Sequence, residues 1–88
     1  MMVRDGDFVA IFNSIHRVMK AEKLLKGRGL PILLIPAPRA LRADCGLAIR
    51  YALADRGTVE GVLAAEGLVP EEIFVKEGEA YRKLEVDA

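Results

Sequence analysis

Among its 88 residues the chain has one cysteine, one histidine and no tryptophan. A lone thiol cannot close an internal disulfide, and one Cys with one His falls short of the four ligands of a structural zinc site. Disulfide scaffolds and zinc fingers are excluded. Aromatic residues are few, two Tyr and three Phe, so the aromatic strands of an RNA-binding sheet are missing and nucleic acid is not expected as a partner. Long apolar runs are also missing, which argues against a membrane span or membrane partner. Asp5 and Asp7 precede the first apolar run, so the start of the chain does not look like a leader, and a cytoplasmic protein with a reduced thiol is expected.

At 52% hydrophobic and 30% charged, the chain can bury a core and is too apolar for a disordered segment. Residues 1–88 are expected to form a single small domain with little stability to spare. The net charge of zero hides an asymmetry. Residues 1–50 hold nine basic and four acidic side chains, and residues 51–88 hold four basic and nine acidic. The plain expectation is that interleaved strands mix the two halves, whereas segregated halves would draw anionic partners to the first.

Phe8 to Phe12 is a strand-like apolar run, and Asn13-Ser14 after it can cap a helix. Ile15, Val18, Met19, Leu24 and Leu25 then share a helical face over about residues 15–26, until Gly27-Arg28-Gly29. Lys20, Lys23 and Lys26 make a solvated face. Pro31 to Ile35 predicts a second strand and Pro36 to Asp44 a long loop. Leu47 to Tyr51 predicts a third strand. Asp55 can cap a helix carrying Val59, Val62 and Leu63 to Gly67, and Ile73 to Val75 predicts a fourth strand. Glu77-Gly78-Glu79 is a turn, followed by a short return strand or tail from Tyr81 to Val86. The order matches an α+β, ferredoxin-like βαββαβ sandwich with a short extra C-terminal strand or tail. Strands one and three would be central neighbours, which gathers His16, Arg39, Arg42 and Cys45 at one edge.

Cys45 follows the Pro/Arg loop and precedes Gly46, where a second molecule can approach the backbone. Arg39 and Arg42 could favour its thiolate, the reactive form, although Asp44 works against them. A packed cysteine, acting as a small hydrophobe, is the plain alternative. His16 falls in the first turn of the helix, where the dipole favours a neutral imidazole able to accept a proton. A merely solvated histidine is its alternative. Arg50, inside a strand, is best read as an ion-pair partner on the helix-free face.

Three stretches also carry a family resemblance: Ser14-Ile15-His16-Arg17-Val18 with Ala21 to Lys26, Gly29-Leu30-Pro31 with Leu34 to Arg39, and Cys45-Gly46-Leu47-Ala48-Ile49-Arg50. Over residues 12–51 the chain resembles the selenium/sulfur carrier protein-like family of small bacterial proteins. Its most specific part is the Pro-x-Pro-Arg loop leading to Cys-Gly-Leu-Ala-Ile-Arg. The resemblance implies a cysteine that carries sulfur or selenium as a persulfide or selenopersulfide, and Cys45 is the matching position. Where that family's loop has small hydroxyl residues before the cysteine, this chain has Arg42-Ala43-Asp44.

The expected function is thus a sulfur or selenium carrier, or a thiol-transfer accessory protein. Cys45 is the attachment point, Arg39, Arg42 and Gly46 surround it, and His16 serves as base. It would need no metal or organic cofactor, and its partners would be donor and acceptor proteins. The rival is a non-enzymatic ferredoxin-like interaction or small-anion-binding domain with a structural Cys45. A thiol enzyme ranks last, since no second cysteine and no residue orienting His16 is evident. Open sheet edges leave room for a homodimer.

Overall fold

The computed structural model describes residues 2–86. Its elements are β1 (Phe8–Ile11), α1 (Ile15–Gly27), β2 (Leu33–Pro36), β3 (Leu47–Tyr51), α2 (Arg56–Ala65), β4 (Glu72–Glu77) and β5 (Ala80–Leu84). The chain is α+β: one antiparallel sheet of order β2-β3-β1-β4-β5 with two helices. β1 and β3 are central neighbours, as the element order led one to expect. The strand order differs from a four-stranded ferredoxin-like sheet by β5, which pairs with the outer side of β4. Gly78 makes that extra strand accessible, because its φ of 62° lets the chain reverse tightly between β4 and β5.

Ser14 caps α1 as expected: its Oγ accepts the Arg17 N–H at 3.2 Å. Gly29, at φ 72°, ends the helix by letting Leu30 N–H return to the Leu25 carbonyl at 3.1 Å. Several expectations need correction. Only Val18, Ala21 and Leu25 of α1 are fully buried, while Ile15 and Met19 stand on the outer flank. β2 starts at Leu33, because Pro31 lacks an N–H and Ile32 N–H turns back to Leu30. Asp55 stands at the start of α2 without a side-chain capping bond, since a 3₁₀ turn over Leu53–Asp55 already leads into the helix. β4 extends to charged ends at Glu72 and Glu77.

Strand alternation sorts the side chains onto two faces. Phe8, Ala10, Phe12, Ile49, Tyr51 and Ile73 pack beneath Val18 and Leu25 of α1 and Val59 and Leu63 of α2. On the other face Val9, Ile11, Ile35 and Ala48 have no helix to cover them, yet each is fully buried. Val3 from the N-terminal arm and Leu41 from the β2–β3 loop close over them. A side chain buried as Leu41 is contributes about 1.5–3 kcal/mol, enough to fix a loop that has no strand partner. Arg50 also faces this side and pairs with Asp7 at 3.4 Å, as expected.

The two charge halves are not interleaved. β2, β3 and β1 come from the first half of the sequence and are contiguous in the sheet, whereas β4 and β5 lie together beyond β1, although Arg50 is the one basic side chain on the first three strands. The strands of the two halves therefore meet only where β1 pairs with β4, instead of alternating across the sheet. Among the described residues no helix is long and apolar enough to cross a membrane.

Candidate functional site

β1 ends with Ile11 opposite Ala48, and β2 ends with Pro36 opposite Leu47. The ends of β1 and β2, the start of β3 and the start of α1 therefore meet at one end of the sheet. Two turns build the connection from β2 to β3. Leu41 N–H closes the first on the Pro38 carbonyl at 2.9 Å, and Gly46 N–H closes the second on the Ala43 carbonyl at 3.0 Å. Gly46 has φ 72°, and a Cβ there would meet nothing within 4 Å. Glycine is thus required by backbone conformation rather than by crowding, and the space above it is open.

Cys45 sits between the second turn and β3, half-buried and as a free thiol. Its S–H donates to the Leu47 carbonyl at 3.2 Å, with the Phe12 carbonyl also in reach at 3.6 Å. Both neighbours are acceptors, so these contacts exist only while sulfur carries its proton. An ionised sulfur has to turn toward water or a donor instead. The side chain packs against the cluster under the helices, whereas Leu41 and Ala43 of the same loop pack on the opposite face. The loop therefore crosses the end of the sheet just before the thiol.

His16 is exposed in the first turn of α1, and Arg39, Arg42 and Asp44 are exposed on the loop. The fold brings all four to the thiol's end of the sheet. None is a hydrogen-bond partner of Cys45. Sequence reasoning missed the Phe12 and Leu47 carbonyls, since backbone acceptors leave no trace in residue identity. It also missed Leu41 as the anchor of the loop, although a lone leucine between Arg39 and Arg42, just after two prolines, was a signal.

A separate polar network lies at the other end of β3. Tyr51 is fully buried, and its hydroxyl donates to Glu60 Oε2 at 2.7 Å. Arg56 Nε donates to the same oxygen at 3.0 Å, and its guanidinium lies 4.7 Å from the Phe8 ring centre. Burial first, and the Glu60 carboxylate second, push the Tyr51 hydroxyl far above its usual range. Arg56 and Glu60 border a cavity of about 250 Å³ between α2 and the C-terminal segment, which Cys45 does not line. Among the described residues no three His, Cys, Asp or Glu side chains gather as a metal site.

This arrangement, a free, half-buried thiol at one end of the sheet of a small α+β domain, defines a cysteine-bearing protein. The model of the family described as "Putative Se/S carrier protein-like" matches residues 7–75. That span takes in both helices, β1 to β3 and most of β4, and the chain belongs to this family. No curated protein and no solved structure matches it.

Proposed function

We propose that this chain is a carrier of sulfur or selenium, with Cys45 as the attachment point, built as a ferredoxin-like domain extended by β5. The observation that supports the reading most is the free, half-buried thiol beside the open space over Gly46, in a chain of the carrier-like family. The ionised Cys45 sulfur attacks the terminal sulfur of a donor persulfide, R–S–SH. The donor's S–S bond breaks, RS⁻ leaves and takes up a proton, and Cys45 holds the atom as Cys–S–SH. Delivery reverses the roles: an acceptor nucleophile attacks that terminal atom and Cys45 leaves as thiolate. Sulfur is passed on without net oxidation, and selenium follows the same steps.

Arg39 and Arg42 serve as the donors an ionised Cys45 turns to, and His16 takes the thiol proton. Donor and acceptor proteins are the partners, and the cytoplasm, where thiols stay reduced, is the setting. The packing of Cys45 against the helix-side cluster favours a second reading, an interaction or anion-binding domain whose cysteine only fills space.

Folded protein treated with inorganic polysulfide and analysed by mass spectrometry separates the two. The carrier gains one sulfur atom on Cys45 and yields it to cyanide as thiocyanate, while Cys45→Ser stays folded and gains none. A wild-type chain that never takes up the atom overturns the carrier reading.

A further inference from the structure

Ion pairing leaves several cations of the first half of the chain without acidic partners. Every ion pair among the described residues joins partners from the same half of the chain: Lys26 with Glu22 and Arg50 with Asp7 in one, Arg56 with Glu60, Arg82 with Glu77 and Lys83 with Glu72 in the other. From residue 15 to residue 46 there are seven Lys and Arg against two acids, Glu22 and Asp44. Glu22 is already taken by Lys26 at 2.8 Å. Lys20 and Lys23 on α1, and Arg39 and Arg42 on the loop, are exposed and have no ion-pair partner among the described residues.

Helix α1 also exposes two large apolar side chains. Ile15 and Met19 lie one turn apart on α1 and are 45% and 44% exposed. The helix cannot roll to bury them, because Val18, Ala21 and Leu25 fill the core. Arg17 fixes the rotation further by donating to the Gly67 carbonyl at 3.2 Å. An apolar centre beside unpaired cations fits a protein partner that offers an apolar contact within an acidic rim.

We propose that Ile15 and Met19, with Lys20 and Lys23 on the same helix and Arg39 and Arg42 on the loop at the end of the sheet where α1 starts, dock an acidic protein segment carrying apolar side chains. Only the partner's role, as donor to or acceptor from Cys45, rests on the carrier reading. RNA is also anionic, but residues 13–46 contain no Phe, Tyr or Trp on which successive bases could stack.

Two peptides of equal length, one with glutamates around a Leu-Leu pair and one with lysines in their place, are titrated into the isotope-labelled full chain. The acidic peptide shifts the backbone amides of residues 15–23 and 39–46, and its affinity falls as salt rises. Lys20→Glu with Lys23→Glu weakens it about tenfold or more, and Ile15→Ser with Met19→Ser weakens it without changing the salt dependence. The lysine peptide does not bind. Absent or scattered shifts overturn the proposal, as does tighter binding of single-stranded RNA at physiological salt. Concentration-dependent shifts of the same amides without peptide overturn it in favour of a second copy of the chain. Cys45→Ser binds the acidic peptide as wild type does. Lost sulfur uptake with intact peptide binding therefore defeats the carrier reading alone, and lost binding with intact uptake from polysulfide defeats the docking surface alone.

Discussion

At one end of β3, Tyr51 is fully buried, stacked on Phe8 at 5.7 Å and bonded to Glu60. At the other end Cys45 is half-buried, hydrogen-bonded only to backbone carbonyls, packed at the margin of the helix-side cluster and preceded by a loop whose charged side chains stand in water. The same strand thus has one end fixed and one end open. A buried hydroxyl without a partner costs about 1–3 kcal/mol, so Glu60 and Arg56 are needed where Tyr51 is. No comparable side-chain network closes the thiol's end, where Leu41 is the buried anchor of the loop and Ala37 and Ala43 pack beside it. Stability and accessibility are divided between the two ends, and substitutions should act on them separately.

The largest effect is expected from Tyr51→Ala, which removes an aromatic ring from the core and should cost about 3–5 kcal/mol in urea unfolding. While the protein remains folded, its Cys45 labelling should match wild type. Leu41→Ala should cost about 2–3 kcal/mol and act at the other end. Amide exchange over residues 37–46 should rise, with Tyr51 and its neighbours unchanged. If Leu41→Ala leaves that loop as protected as before, the loop has a second anchor and the contrast between the ends is weaker than described.

The fixed end also carries a pH signature. In the unfolded chain a tyrosine ionises near its ordinary value of about 10, whereas in the fold Tyr51 holds its proton to much higher pH. Its contribution is complete below pH 10 and declines as pH rises above it, by about 1.4 kcal/mol for each pH unit. Tyr51→Phe should remove that decline and cost about 1 kcal/mol at neutral pH, since Glu60 keeps Arg56 as a partner. Tyr81 is also raised by desolvation, but it is far more exposed than Tyr51 and should add little. The smallest change in stability is expected from Cys45→Ser, under about 1 kcal/mol, because both carbonyls can accept from a hydroxyl.

How much of this was legible depends on what kind of interaction holds each part. Local signals were readable: Ser14 as a cap, Leu47–Tyr51 as a strand and Gly78 as a turn all follow from side-chain chemistry or backbone freedom. Central pairing of β1 with β3 followed from the element order. Ile15 and Met19 were misplaced because helical spacing shows an apolar stripe without showing how α1 is rotated against the sheet. Asp55 stands at the N-cap position as expected but makes no side-chain capping bond, because it already has helical backbone as the last residue of a 3₁₀ turn that residue type alone does not reveal. At the site, Cys45 and its neighbouring charges were evident, while the carbonyls it touches belong to residues 33 and 2 positions away. Such contacts come from sheet register, which residue types do not encode.

Native-state alkylation of Cys45 tests the contrast between the two ends most directly, with the unfolded chain and Tyr51→Ala as references. An open end requires the folded thiol to label without unfolding, at the same rate in wild type and in the destabilised variant. A thiol released only by global unfolding would label about 10³-fold or more slowly than the unfolded chain, and Tyr51→Ala would accelerate it in proportion to the stability lost. That result would make Cys45 part of the core and contradict a carrier site at this end of β3.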